Sequence, residues 1–206
     1  SYSRDMEPAE RALRTLRSRH IRRIEFRYIG YSGIPIHVAP ASFDRVATAV
    51  EHGTIQVVES PDLRAGNAEY RFNNSIDASG VARSGTLRFS TRGQSSRLFE
   101  AIIVHECVHA SFDLTGSRLS LADDEAAAFL AGAIYCTLSG LPPDRWSGET
   151  MYEGMVRRTA REALRSATIT STNELDLLRE AMIAAGYDGN ADDPFPMGST
   201  KNPSIY

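Results

Sequence analysis

Residues 102–113 read IIVHECVHASFD, and the spacing inside this stretch restricts the fold more than any other feature of the chain. His105, Glu106 and His109 interrupt a run that is otherwise apolar. On an α-helix, residues four apart lie one turn along and about 40° around, so both imidazoles point the same way. Leu98, Phe99, Ile102, Ile103, Val104, Val108 and Phe112 surround the segment on most sides. That pattern predicts a central, buried helix, capped at Ser95 or Ser96 and stopped at Gly116. Two hydrogen-bonded core histidines would be the plain reading of either residue alone. Composition by itself gives the five-residue pattern His-Glu-x-x-His in only about 1 in 100 chains of this kind.

The pattern has a chemical use. Two imidazoles one turn apart reach a single ion from one side. Glu106, displaced around the helix, reaches a water on that ion without being a ligand. A catalytic zinc takes three protein ligands and leaves its fourth position open. It brings the pKa of the bound water to near 7, and a neighbouring carboxylate then takes the proton. A dry apolar wall strengthens the ion's influence. A third ligand from a histidine six residues beyond His109, after a glycine, is excluded, because Phe112 and Thr115 stand there. The next predicted helix, SLADDEAAAFLAGAIYCTLSGLPP, is capped by Ser120 and ended by Gly140. It offers Glu125 near its start, followed by Ala126, Ala127, Ala128 and Gly132, small enough to let the two helices approach closely. Asp123 and Asp124 are rival ligands, although acidic residues in a first turn also complement the helix dipole.

The rest of the chain reads as α+β. Residues 7–19 predict a surface helix with Ala9, Leu13 and Leu16 on its apolar stripe. From 21 to 91 the texture is that of strands: IRRIEFRYI with Ile24, Phe26 and Tyr28 on one face, IPIHVAP, TIQVVES, GNAEYRFN and SGTLRFSTRG. A helix over SFDRVATAVEHG, capped by Ser42 and stopped near Gly53, interrupts them. Two more helices are predicted near 149–167 and 172–185, the second opening with the capping box Ser171-Thr172-Asn173-Glu174. The tail 188–206 is rich in Gly, Pro and Asp and reads as irregular. His37, in a short apolar strand, is read as a hydrogen-bonded structural residue. Net charge is −3 with no block of one sign, so nothing calls for nucleic acid or an anionic membrane. No stretch reaches the length of a membrane span. Cys107 and Cys136 are read as buried free thiols rather than a disulfide. Of 23 basic residues only Lys201 is lysine, a bias that reads as genomic, although Arg also suits carboxylates. The opening SYSRDMEPAE has no apolar signal core and reads as a processed or excised start, leaving the compartment open, secretion included.

With these residues in view, residues 85–140 resemble the gluzincin metallopeptidases, the thermolysin-like class with a His-Glu-x-x-His helix and a glutamate ligand from a following helix. The resemblance implies Zn2+ bound by His105, His109 and Glu125, with Glu106 as general base. Together with the strand and helix pattern outside that region, the expected organisation is a single zincin-like domain over 1–206: a helix and a small mixed or antiparallel sheet (1–93), the metal-binding helix pair (94–140), C-terminal helices (141–187) and the irregular tail (188–206). In it, GTLRFSTRG matches the edge strand that aligns an extended substrate. The chain departs from the family in three places. The spacing to Glu125 is shorter, and the acid four residues after the ligand glutamate is replaced by Phe129, which cannot hydrogen-bond a histidine. Asp113 or Asp124 is expected to take that role. No histidine follows His109, so the oxyanion donor is expected to be a tyrosine, Tyr152 ahead of Tyr135 and Tyr187. Arg118 is placed to hold a substrate carboxylate. The expected activity is zinc-dependent hydrolysis of an amide bond in a peptide or protein. The alternatives are a secreted bacterial effector acting on a host or cell-wall amide, and a non-catalytic zinc-containing binding module.

Overall fold

A computed structural model describes residues 7–31, 33–63, 67–76, 82–90, 96–117, 119–142, 150–170 and 172–184. The architecture is α+β, with six helices and five strands among the described residues. Helix α1 (Pro8–Leu16) starts at a proline, which loses no hydrogen bond in a first turn, and buries Ala12, Thr15 and Leu16. A 3-10 turn (Ile21–Arg23) leads into β1 (Phe26–Ile29), which pairs antiparallel with β2 (Pro35–Val38). Ile24, Phe26 and Tyr28 are all buried, as their alternation requires.

Helix α2 (Pro40–Glu51) begins three residues earlier than its presumed cap implied. Ser42 lies in the first turn, and its hydroxyl accepts from the Ala39 N–H at 3.2 Å, reaching back to the chain entry instead of capping the helix itself. The strand region forms two sheets, not one. Besides the β1–β2 pair, β3 (Ile55–Glu59), β4 (Ala68–Ile76) and β5 (Ala82–Phe89) make a mixed sheet in the order β3-β5-β4. Strand β5 runs parallel to β3 and antiparallel to β4. The stretch GTLRFSTRG was expected to be an edge strand. Its strand portion lies in β5, the centre of the sheet, with both sides of its ladder taken, so it has no free edge to offer a substrate. Strand β4 holds the outer position and packs against α3.

Helices α3 (Ser96–Leu114) and α4 (Leu121–Ser139) pack against one another. Both are apolar around most of their circumference, which is why they occupy the centre. Ser120 caps α4 by accepting the Asp123 N–H at 3.2 Å, and Gly140 ends it in the left-handed region at φ 70°. Ala126, Ala127, Ala128 and Ala131 are all buried. Helices α5 (Thr150–Ser166) and α6 (Thr172–Ala184) pack on α4 and on each other. One cluster of buried side chains draws on all six helices and both sheets. Cys107 and Cys136 are free and buried, and burial raises both thiol pKa values. His37 is on the outward face of β2, 3.5 Å from Glu25, so it is a surface residue and not a buried strand histidine. No described helix is long and apolar enough to cross a membrane. The 188–206 tail and the Ser171 cap lie outside the described residues.

Tyr70 joins the sheet to α3. Its register partner on β5 is Leu87, and its ring crosses diagonally over Gly85. A Cβ at Gly85 would overlap the tyrosine hydroxyl and sit 2.6 Å from Cε2. Gly85→Ala is therefore expected to destabilise the fold by about 1–3 kcal/mol through overpacking. Thermal denaturation checks this, and the cost should shrink in Gly85→Ala/Tyr70→Ala, where the ring is gone. Additive losses would show that the two residues do not share the space.

Candidate metal centre

Helix α3 presents His105 and His109 from consecutive turns, and α4, just past its first turn, presents Glu125 opposite them. The two Nε2 atoms lie 3.2 Å apart. Glu125 Oε2 is 3.5 Å from His105 Nε2, and Glu125 Oε1 is 3.8 Å from His109 Nε2. Tetrahedral zinc with bonds of about 2.0–2.1 Å holds its ligand atoms about 3.3 Å apart. The observed separations bracket that value, and one ligand atom from each residue falls within 4.8 Å of the others. The group could hold a metal ion, and His/His/carboxylate is a donor set suited to one.

The charge balance agrees. Glu106, Asp124 and Glu125 surround two imidazoles in a buried setting. Burial works against charge on His109, yet Asp124, Glu125 and Glu106 outweigh it and raise its pKa. Burial also works against charge on Glu125, and the two histidines outweigh it and lower its pKa. Carboxylates outnumber imidazoles here, a balance compatible with a bound cation.

The surroundings fix each side chain. Asp124 Oδ1 accepts from His109 Nδ1 at 2.9 Å, which leaves the Nε2 lone pair facing the shared centre. Asp124 therefore fills the supporting role that the sequence left open between two aspartates, and its position behind His109 removes it as a rival ligand. Asp113 goes elsewhere: it accepts the Tyr70 hydroxyl at 2.5 Å. Asp123 is turned away from the centre, its carboxylate engaged by Arg179 and the Tyr31 N–H. Phe129 cannot hydrogen-bond a histidine, but its ring packs edge-on against His105 with centroids 4.6 Å apart, so packing constrains that imidazole instead.

Glu106 is 7% exposed, and its Oε2 accepts the Tyr70 backbone N–H at 2.7 Å. Burial raises its pKa, and Glu125 adds to this, while His105, His109 and the Tyr70 N–H oppose it. The role of Tyr70 was not legible in the sequence. Its strand was, but contact with α3 depends on the β4–β5 register. Burial and the Asp113 carboxylate raise its pKa, so the hydroxyl is a donor. Tyr135 is not brought to the centre: it is buried and donates to Glu100 Oε2 at 2.7 Å. Tyr152 falls in α5, with its side chain outside the described residues, as are Arg118 and Tyr187. Compared with protein-family models, curated proteins and solved structures, the chain matches none.

Removing the carboxylate behind His109 tests the site. Asp124→Ala is expected to weaken metal binding by about 10- to 100-fold while the protein stays folded. Competition against a chromophoric chelator measures this, and unchanged affinity would show that Asp124 does not orient His109.

Proposed function

We propose that the protein is a zinc-dependent metallohydrolase of the gluzincin kind that cleaves amide bonds in a peptide or protein. The observation that carries this reading is Glu106, a buried carboxylate between two histidines that converge with Glu125 on one point. A purely structural zinc site has no use for a base there.

When bound, zinc would acidify a water and polarise the scissile carbonyl. His105, His109 and Glu125 hold the ion, and Asp124 keeps His109 in the tautomer that ligates. The Tyr70 N–H holds Glu106 Oε2 and leaves Oε1 to take the proton from the water and pass it to the leaving amine. The Phe129 ring, packed edge-on against His105, supplies an apolar wall beside the centre. The Tyr135 hydroxyl is committed to Glu100, so the proposed donor for the developing oxyanion is Tyr152, ahead of Tyr187.

Glu106→Gln separates enzyme from scaffold. It is expected to retain zinc near the parent content and to lose about 10²- to 10⁴-fold of kcat on a peptide-library substrate. Cleavage by the variant at the parent rate would remove Glu106 as the base. Zinc-loaded parent protein that cleaves no amide would favour a binding module.

A further inference from the structure

We propose that the buried Arg179–Asp123 pair is the positioning element of the metal centre, aligning the N-terminal end of α4 so that Asp124 and Glu125 meet the histidines of α3. This rests on the reading of His105, His109 and Glu125 as metal ligands.

The pair lies outside the site yet is built to hold it. Arg179 comes from α6, 56 residues away along the chain, and its Nε donates to Asp123 Oδ1 at 2.8 Å. Its Nη1 donates to Asp176 Oδ1 at 2.9 Å and its Nη2 to the Ile29 carbonyl at 2.6 Å. The guanidinium also lies over the Tyr31 ring, 4.6 Å from its centroid. Asp123 Oδ2 accepts the Tyr31 N–H at 2.9 Å and the Ser120 hydroxyl at 3.1 Å, while the Asp123 carbonyl accepts the Tyr28 hydroxyl at 3.1 Å. The hairpin reaches this close because Gly30 has no side chain: a Cβ there would stand 2.8 Å from Asp123 Oδ2. Three separate elements, α6, the β1–β2 hairpin and α4, are thus fastened at one residue.

Residues 123, 124 and 125 follow one another around a single helical turn, about 100° apart. Fixing Asp123 from behind fixes the direction of the two carboxylates beside it. A metal centre needs its ligands held to within about 0.5 Å, and supporting contacts are what provide that. Stability alone is a poor explanation for the pair. Arg179 and Asp123 side chains are 5% and 0% exposed, and burying two charges costs desolvation that their attraction does not reliably exceed. Arginine is required by the geometry, since a lysine ammonium cannot span Asp123, Asp176 and the Ile29 carbonyl at once.

Cobalt(II) serves as the probe, because its visible absorption reports the number and arrangement of its ligands. Arg179→Lys keeps a cation beside Asp123, and Arg179→Met removes it. Met182→Ala, one turn further along α6, loosens the packing of that helix but leaves the pair intact. Each folded variant is titrated with Co2+ at a temperature below its thermal transition. The expected result is affinity lower by about tenfold in Arg179→Lys, with an altered spectrum, and at least as large a loss in Arg179→Met. Met182→Ala should melt earlier yet bind Co2+ with the parent affinity and spectrum. Should Arg179→Met fail to fold, Arg179→Lys decides. Parent-like binding in Arg179→Lys would overturn the proposal, as would an equal loss in Met182→Ala, which would mean that α6 packing alone matters. A parent protein that binds no Co2+ would overturn the metal-centre reading itself, and this proposal with it.

Discussion

Everything in the site follows from placing polar groups on a helix that has to be buried. Helix α3 sits at the centre because it is apolar around most of its circumference, and it carries His105, Glu106 and His109 into that setting. Buried polar groups without partners are costly, so the neighbours of α3 are chosen for what they can offer. The start of α4 offers Asp124 to His109 and Glu125 to both imidazoles, and β4 offers the Tyr70 N–H to Glu106. A cation at the convergence point would balance a group in which carboxylates outnumber imidazoles.

The same constraint explains what surrounds the helix pair. Tyr70 touches α3 twice, through its N–H at Glu106 and its hydroxyl at Asp113, and Gly85 makes room for its ring. On the far side of α4, Asp123 is held by α6 and the β1–β2 hairpin. The N-terminal end of α4, with Asp124 and Glu125, thus stands between α3 on one side and an ion-pair hub on the other. Small residues along α4 keep the two central helices close without filling the space the imidazoles need.

The convergence of His105, His109 and Glu125 was legible in the sequence because its parts are local. His105 and His109 are one turn apart, Ser120 and Gly140 mark the ends of α4, and Glu125 follows its cap by a fixed number of residues. Periodicity gave the strands and helices in order for the same reason. What the sequence hid is set by pairing between distant segments. Nothing in GTLRFSTRG says that β3 will pair with it from one side and β4 from the other, which turns an expected edge into a sheet centre. Tyr70 looked like one more residue of a strand until the register placed it over Gly85. Arg179 left a faint trace: it stands on the stripe formed by Leu175, Leu178 and Met182, all buried, where an arginine needs a partner. That the partner is Asp123 depends on how α6 docks. Phe129 read as a lost acid, and its packing against His105 could be seen only once the two helices were set side by side.

The most direct test of the account is the zinc content of the purified protein and of Glu125→Ala, by elemental analysis after dialysis without chelator. About one zinc per chain in the parent and a large loss in the variant is the predicted result. Equal zinc in both would keep a metal and move the third ligand away from Glu125. A parent that takes up no zinc, even when it is added back, would contradict the account and leave His105 and His109 as residues of the core.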